Sequence, residues 1–199
     1  MTEGTPTTPP PAGPPPGGAP PGGAKRSFGE RLMGALRLDA ATYDEIEHDP
    51  DALGQAAGVI ALSAVCAGIG SASGGLGAIL GGVVAAFIGW LLATGIVWLI
   101  GVRMMGHTSD YPELLRTLGF ASAPQLLLII AFIPVLGAIV RIGVFFWGLA
   151  AYVVAVRQAL DVETGRAIVV CVLAWGAAML LGVLLFTCAG GQQATTMGG

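Results

Sequence analysis

From Ala52 to Val102 the chain runs for 51 residues without one Asp, Glu, Lys, Arg or His. As a helix rising about 1.5 Å per residue it would be about 75 Å long, against a hydrocarbon core of about 30 Å. One membrane span is too few. Ser71-Ala72-Ser73-Gly74-Gly75 supplies the natural break, leaving spans expected over residues 52–70 and 76–101. Thr117–Val156 is a second apolar stretch, of 40 residues, interrupted only by Arg141. Pro134 with Gly137 turns it, so spans are expected over residues 118–136 and 138–156. A fifth is expected over residues 167–186, and the count drops to four if 118–136 is re-entrant.

Composition agrees. Hydrophobic residues make up 54% of the chain, with 32 glycines besides, and charged residues only 11%. A soluble domain of this size buries only about 70% of the surface its unfolded chain exposes, too little to hide so much apolar area. The expected fold class is therefore all-α, a polytopic membrane bundle of five transmembrane helices. Net charge is −3, so no basic field exists for nucleic acid. The single lysine, Lys25, lies in no Gly-Lys-Ser/Thr loop, which excludes a phosphate-binding loop of that type. Cys66, Cys171 and Cys188 form no paired motif and read as small buried hydrophobes.

Residues 1–24 hold nine of the 13 prolines, spaced by glycines, and are expected to be a disordered cytoplasmic tail with polyproline II character. The tail is either a solvated tether or a ligand for an aromatic-lined groove. Residues 25–51 are expected to form two short cytoplasmic lead-in helices. Ser27 and Glu30 have capping-box spacing, and Phe28, Leu32, Ala35 and Leu36 share a face ringed by Lys25, Arg26, Arg31 and Arg37. Such a basic amphipathic helix is expected to lie on an anionic leaflet. Asp39 caps the second helix, and the acidic run Asp44–Asp51 reads as a solvated face, having no EF-hand spacing. The membrane domain takes residues 52–188, and 189–199 is expected to be a short flexible C-terminus.

The basic residues set the orientation. With five spans and the N-terminus inside, Lys25, Arg26, Arg31, Arg37, Arg103, Arg116, Arg157 and Arg166 fall on the cytoplasmic side, and Arg141 alone on the other. This positive-inside bias puts the C-terminus outside.

Few groups within the spans could do chemistry. No histidine or carboxylate lies there, and Gly70-Ser71-Ala72-Ser73-Gly74 has no base to activate a serine. Neither catalytic residues nor a cofactor nor a metal site is expected. His107 and Asp110 lack further ligands nearby, and Asp110 with Pro112 reads as a helix cap. Gln125 and Arg141 are a candidate intramembrane polar pair. The alternative for Arg141 is an anchor whose stem reaches the outer headgroups, with a backbone carbonyl as another buried partner. Gly70, Gly74, Gly77 and Gly81 are a candidate helix-packing face, within one chain or between two.

A family pattern emerges from placed residues in this apolar background. Arg116-Thr-Leu-Gly119-Phe120-Ala-Ser-Ala-Pro124 opens a span, Ile133-Pro134-Val-Leu-Gly137 turns it, and Trp147 lies in the next. Arg157-Gln-Ala159-Leu160 and Gly165-Arg166-Ala167 lead into the last. Upstream stand Leu38-Asp39, Tyr43, Ile46, Asp49-Pro50 and Gly54-Gln55-Ala56. In order and spacing residues 38–188 resemble the Yip1 domain family, in its bacterial branch. The resemblance implies a five-span helical bundle with a cytoplasmic N-terminus. Eukaryotic relatives act in membrane traffic and bind Rab-type GTPases, but their Asp-Leu-Tyr/Trp-Gly-Pro signature is absent here, and Asp49-Pro50-Asp51 is no substitute. The expectation is a non-enzymatic protein of the bacterial inner membrane that organises membrane or partner proteins. Its partners are the lipid bilayer, proteins at the cytoplasmic face and a further copy of itself as a homo-oligomer. A small passive transporter or channel for a neutral solute is the alternative.

Overall fold

The computed structural model describes residues 25–71 and 75–196, with side chains described through Leu180. The proline-rich tail, Gly74 and the Cys188 side chain lie outside the described residues. Every regular element among the described residues is helical: α1 (Phe28–Leu36), α2 (Ala40–His48), α3 (Ala52–Ser71), α4 (Gly75–Trp98), α5 (Tyr111–Phe120), α6 (Leu136–Ala159) and α7 (Thr164–Thr196). A π-helical turn, Leu99–Met104, extends α4, and a 3-10 segment, Ala123–Ile130, follows α5.

Local chemistry sets the boundaries. The Ser27 backbone N–H donates to the Glu30 carboxylate at 2.7 Å and the Glu30 N–H donates back to Ser27 Oγ, closing the expected capping box. Leu38, in the left-handed region at φ 59°, reverses the chain. Asp39 then caps α2 by accepting from the Ala41 N–H. At Gly34 a Cβ would come within 2.1 Å of Thr42 Oγ1, so only glycine lets α1 and α2 approach so closely.

Among the described residues, four helical stretches are long and apolar enough to cross a membrane: Ala52–Ser71, Gly75–Met104, Tyr111–Ile130 and Leu136–Ala159. The described side chains of α7 cover a shorter apolar stretch, Thr164–Leu180. The third stretch departs from the expected 118–136. It starts at the Asp110 cap, where the Asp110 N–H donates to the Glu113 carboxylate at 2.7 Å, and it changes winding at Pro124. Proline has no N–H and disfavours the α conformation of its predecessor, so α5 stops at Phe120. The two pieces, of 10 and 8 residues, together reach about 31 Å. The last helix also differs: α7 passes the expected end at 186 and is helical backbone to Thr196, no proline intervening, where a flexible end over 189–199 was expected.

The core gathers where α2 and α5 cross α3, α4 and α6, around Tyr43, Ile46, Val59, Val97, Leu114, Leu118, Phe120 and Val156. The rest of the bundle wears its apolar residues outside. Leu76, Leu80, Val84 and Ile88 on α4, and Ile139, Ile142, Phe145 and Phe146 on α6, are exposed, Leu76 to 72%. In lipid such a surface carries no penalty, and the backbone of each stretch satisfies its own hydrogen bonds.

Candidate functional site

The charged side chains meet at the end of the bundle where α1 and α2 dock. Arg31 is 1% exposed, the largest fully buried side chain among the described residues. It donates to Asp49 at 2.5 Å, to Glu45 at 3.0 Å and to Gln55 Oε1 at 3.1 Å. Lys25 bridges Asp49 and Asp51 at 2.9 and 2.8 Å, and Arg26 pairs with Glu45 at 3.2 Å. Three of the four basic residues expected to face lipid thus pair with acids of α2 and its C-terminal turn, Arg31 buried and Lys25 still exposed. The reason is proximity: folding back at Leu38 brings the basic helix to the nearest opposite charge. Burial pushes the Asp49 carboxyl up, but Lys25 and Arg31 outweigh it and hold it down at about 2.

Arg116 fastens this layer to the bundle. It is buried on α5 and donates through Nε, at 3.0 Å, and Nη2 to the main-chain carbonyl of Glu47. The indole N–H of Trp147 donates to the Leu36 carbonyl at 3.0 Å, and Gln158 to that of Ala40 at 3.4 Å. Three bundle residues therefore hold backbone atoms of α1, α2 and their turn. The Glu47 side chain is 6% exposed, and burial pushes its carboxyl up to about 7.

Deeper in the bundle, the candidate pair is not formed. Arg141 donates to the carbonyls of Gly70, at 3.0 Å, and Ala131, at 3.3 Å, rather than to Gln125. Both carbonyls sit at helix ends, where the helix leaves them without an internal partner. The three described glycines of that candidate face separate too. Gly70 is buried, with room for no Cβ, since one would meet the Leu128 carbonyl oxygen at 1.7 Å. Gly77 and Gly81 face open space, with nothing within 4 Å of a Cβ.

Gln125 instead lines a cavity of about 240 Å³ between α3, α4, α5 and α6, with Ser63, Trp90, Ser122 and Tyr152. The Trp90 indole donates to the Leu115 carbonyl at 3.2 Å and Ser63 Oγ to that of Ser122 at 3.1 Å. One turn from Trp90, the buried Thr94 hydroxyl has no hydrogen-bond partner.

The remaining motif positions are structural joints. A Cβ at Gly119 would lie 2.7 Å from that of Ala56, which marks the α3–α5 crossing. Pro124 is buried at the start of the 3-10 segment, while Pro134 sits in the exposed turn before α6. There the Gly137 N–H reaches the Ile133 carbonyl at 2.7 Å, and Val135 takes φ 66°. Arg157 is exposed in the last turn of α6.

The joints of this architecture are the positions that a family pattern would retain, and a comparison of families decides the matter. The family model described as the Yip1 domain matches residues 33–186. The chain belongs to the Yip1 domain family. The match begins within α1 and runs into α7, so α2 and the end of α1 lie inside it, while Lys25, Arg26 and Arg31 precede it. No curated protein and no solved structure matches the chain.

The sequence reading overlooked the Arg31 network and the burial of Glu47. The spacing of Arg31 four residues before Ala35, an apolar position on the face expected to lie on the leaflet, was the available signal.

Proposed function

We propose that this Yip1 domain is a five-span, non-enzymatic protein of a bacterial inner membrane, with its N-terminus cytoplasmic and its C-terminus outside. It organises membrane or partner proteins through the α1–α2 layer. The single observation that carries this reading is how the layer is held. Arg116, Trp147 and Gln158 each grip its backbone, leaving a fixed surface at the membrane boundary on which a partner can dock. Fixing a surface in advance lowers the entropy that a partner has to lose on binding. Twenty of the 21 formal charges fall on this proposed cytoplasmic side, and α7, at 33 residues, is long enough for the fifth span.

In-cell crosslinking from an exposed position of the layer, such as Ala41, tests this reading. Recovery of a specific protein in the parent and its loss in Arg116→Ala are expected. A protein that crosslinks nothing beyond lipid overturns it. For topology, a reporter fused after Gly199 is expected to behave as external.

The second reading, a passive carrier for a small neutral solute, is favoured by the cavity at Gln125, whose amide has polar company in Ser63 and Tyr152. Solute flux in liposomes that vanishes in Gln125→Leu would establish it. Equal flux in parent and variant removes it.

A further inference from the structure

The acidic run of α2 divides in the folded chain. Glu45, Asp49 and Asp51 are engaged by Lys25, Arg26 and Arg31. Asp44, Glu47 and His48, spaced i, i+3 and i+4, share another face of the helix. One ligand-capable atom from each lies within 4.8 Å of the others, and among the described residues this is the one such group of three.

A second observation makes the group more than a set of surface charges. Glu47 is more than nine-tenths buried, yet its carboxylate has neither a hydrogen-bond donor nor an ion-pair partner among the described residues. Arg116 does not serve it, since that guanidinium is spent on the Glu47 main-chain carbonyl. Besides His48, the charges that bear on the Glu47 carboxyl are Asp161, Glu113 and Asp44, all acidic. A carboxylate with no protein partner, at the solvent-reached edge of a 6% exposed residue and beside a second carboxylate and an imidazole, is a donor set that a divalent cation completes.

We propose that Asp44, Glu47 and His48 bind a divalent transition-metal ion of the zinc class at the face of α2. The imidazole decides the class, because calcium and magnesium take oxygen ligands almost throughout. Bonds of about 2.0–2.2 Å require the donors to draw in by about 1 Å from their present spacing. His48 is exposed and Asp44 half-exposed, and both reach this by side-chain rotation, His48 giving up the 2.8 Å contact of its Nδ1 with the Asp44 carbonyl, while Glu47 is the fixed member. Three protein ligands leave a fourth position for water or for a ligand from a docked protein. Glu113 and Asp161 add attraction without coordinating.

The test uses the full chain in detergent micelles, without an affinity tag and stripped of metal, with Zn²⁺ as the probe in competition against a chromophoric chelator. One Zn²⁺ per chain is expected, and Co²⁺ in its place gives visible absorption of a four- or five-coordinate site. Glu47→Gln and His48→Ala are each expected to weaken Zn²⁺ by at least about 10-fold. His107→Ala, at the chain's other histidine, leaves it unchanged. Glu47→Gln keeps the side chain's shape and removes a buried charge, so the parent's helicity by circular dichroism is expected to persist. Zn²⁺ affinity equal in parent and Glu47→Gln overturns the proposal, as does binding that disappears in His107→Ala. Binding of Ca²⁺ or Mg²⁺ in preference to Zn²⁺ overturns the metal class.

Discussion

At the α1–α2 end charged side chains pair with one another, with Arg31 and Asp49 buried; over the first half of α4, Leu76, Leu80, Val84 and Ile88 lie outside, and Gly77, Gly81 and Gly82 meet nothing. Arg31 is buried more completely than any leucine of α4. The contrast follows from two solvents. At the α1–α2 end water competes for the charges, so Arg31 and Asp49 are buried against each other, and the geometry becomes specific. Along α4 the surrounding hydrocarbon is as apolar as leucine, so nothing drives these side chains inward and helices meet only where small residues let backbones approach. The polar region is the specified one, and the apolar region is held at a few joints.

The largest test of this contrast is Arg31→Ala. It removes the buried partner of Asp49 and Glu45, leaving them Lys25 and Arg26, and is expected to cost about 3 kcal/mol, the low end for breaking a buried pair, read as denaturant unfolding in micelles. A loss under 1 kcal/mol would show that the layer is a solvated surface after all. The same network predicts a pH response. Asp49 has a folded-state pKa lowered from 3.8 to about 2, so its contribution is complete above pH 4 and disappears as pH falls toward 2. Acid melting is expected to flatten over that window in Asp49→Asn, and an unchanged profile refutes the assignment.

At the joint between α3 and the 3-10 segment, Gly70→Ala has to displace the Leu128 carbonyl and is expected to cost about 1–3 kcal/mol. On the open face of α4, Gly81→Ala is expected to leave the monomer unharmed or to stabilise it by up to about 1 kcal/mol through helix propensity. If Gly81→Ala instead lowers stability in a concentration-dependent way, that face is covered by another chain, and the contrast has to be redrawn.

Much of the fold was legible because its signals are local. The uncharged run fixed the break near Ser71–Gly75, and the Ser27 and Asp39 caps placed α1 and α2. Where the outcome depended on what lies across space, the reading failed. The basic ring on α1 looked like a lipid-binding face because nothing in its own sequence reveals that Leu38 turns it onto α2. Gln125 and Arg141 looked like partners because both are polar in an apolar stretch, but carbonyls freed at the ends of two helical segments were closer to Arg141. Pro124 announced a disturbance without saying that the chain would tighten to a 3-10 winding rather than kink. Glu47 carried no mark of burial, since its neighbours Glu45 and Asp49 are alike in type and paired.

The bond from Arg116 to the Glu47 carbonyl joins residues 69 positions apart, and the Trp147–Leu36 contact joins residues 111 apart. A ribosome adding about 5–20 residues per second delivers Arg116 on the order of ten seconds after Glu47. Through that interval α1 and α2 exist without the groups that hold them, although their own ion pairs can already form. An early-made part of the protein is therefore locked only later, and the layer serves as a record that α5 and α6 have arrived.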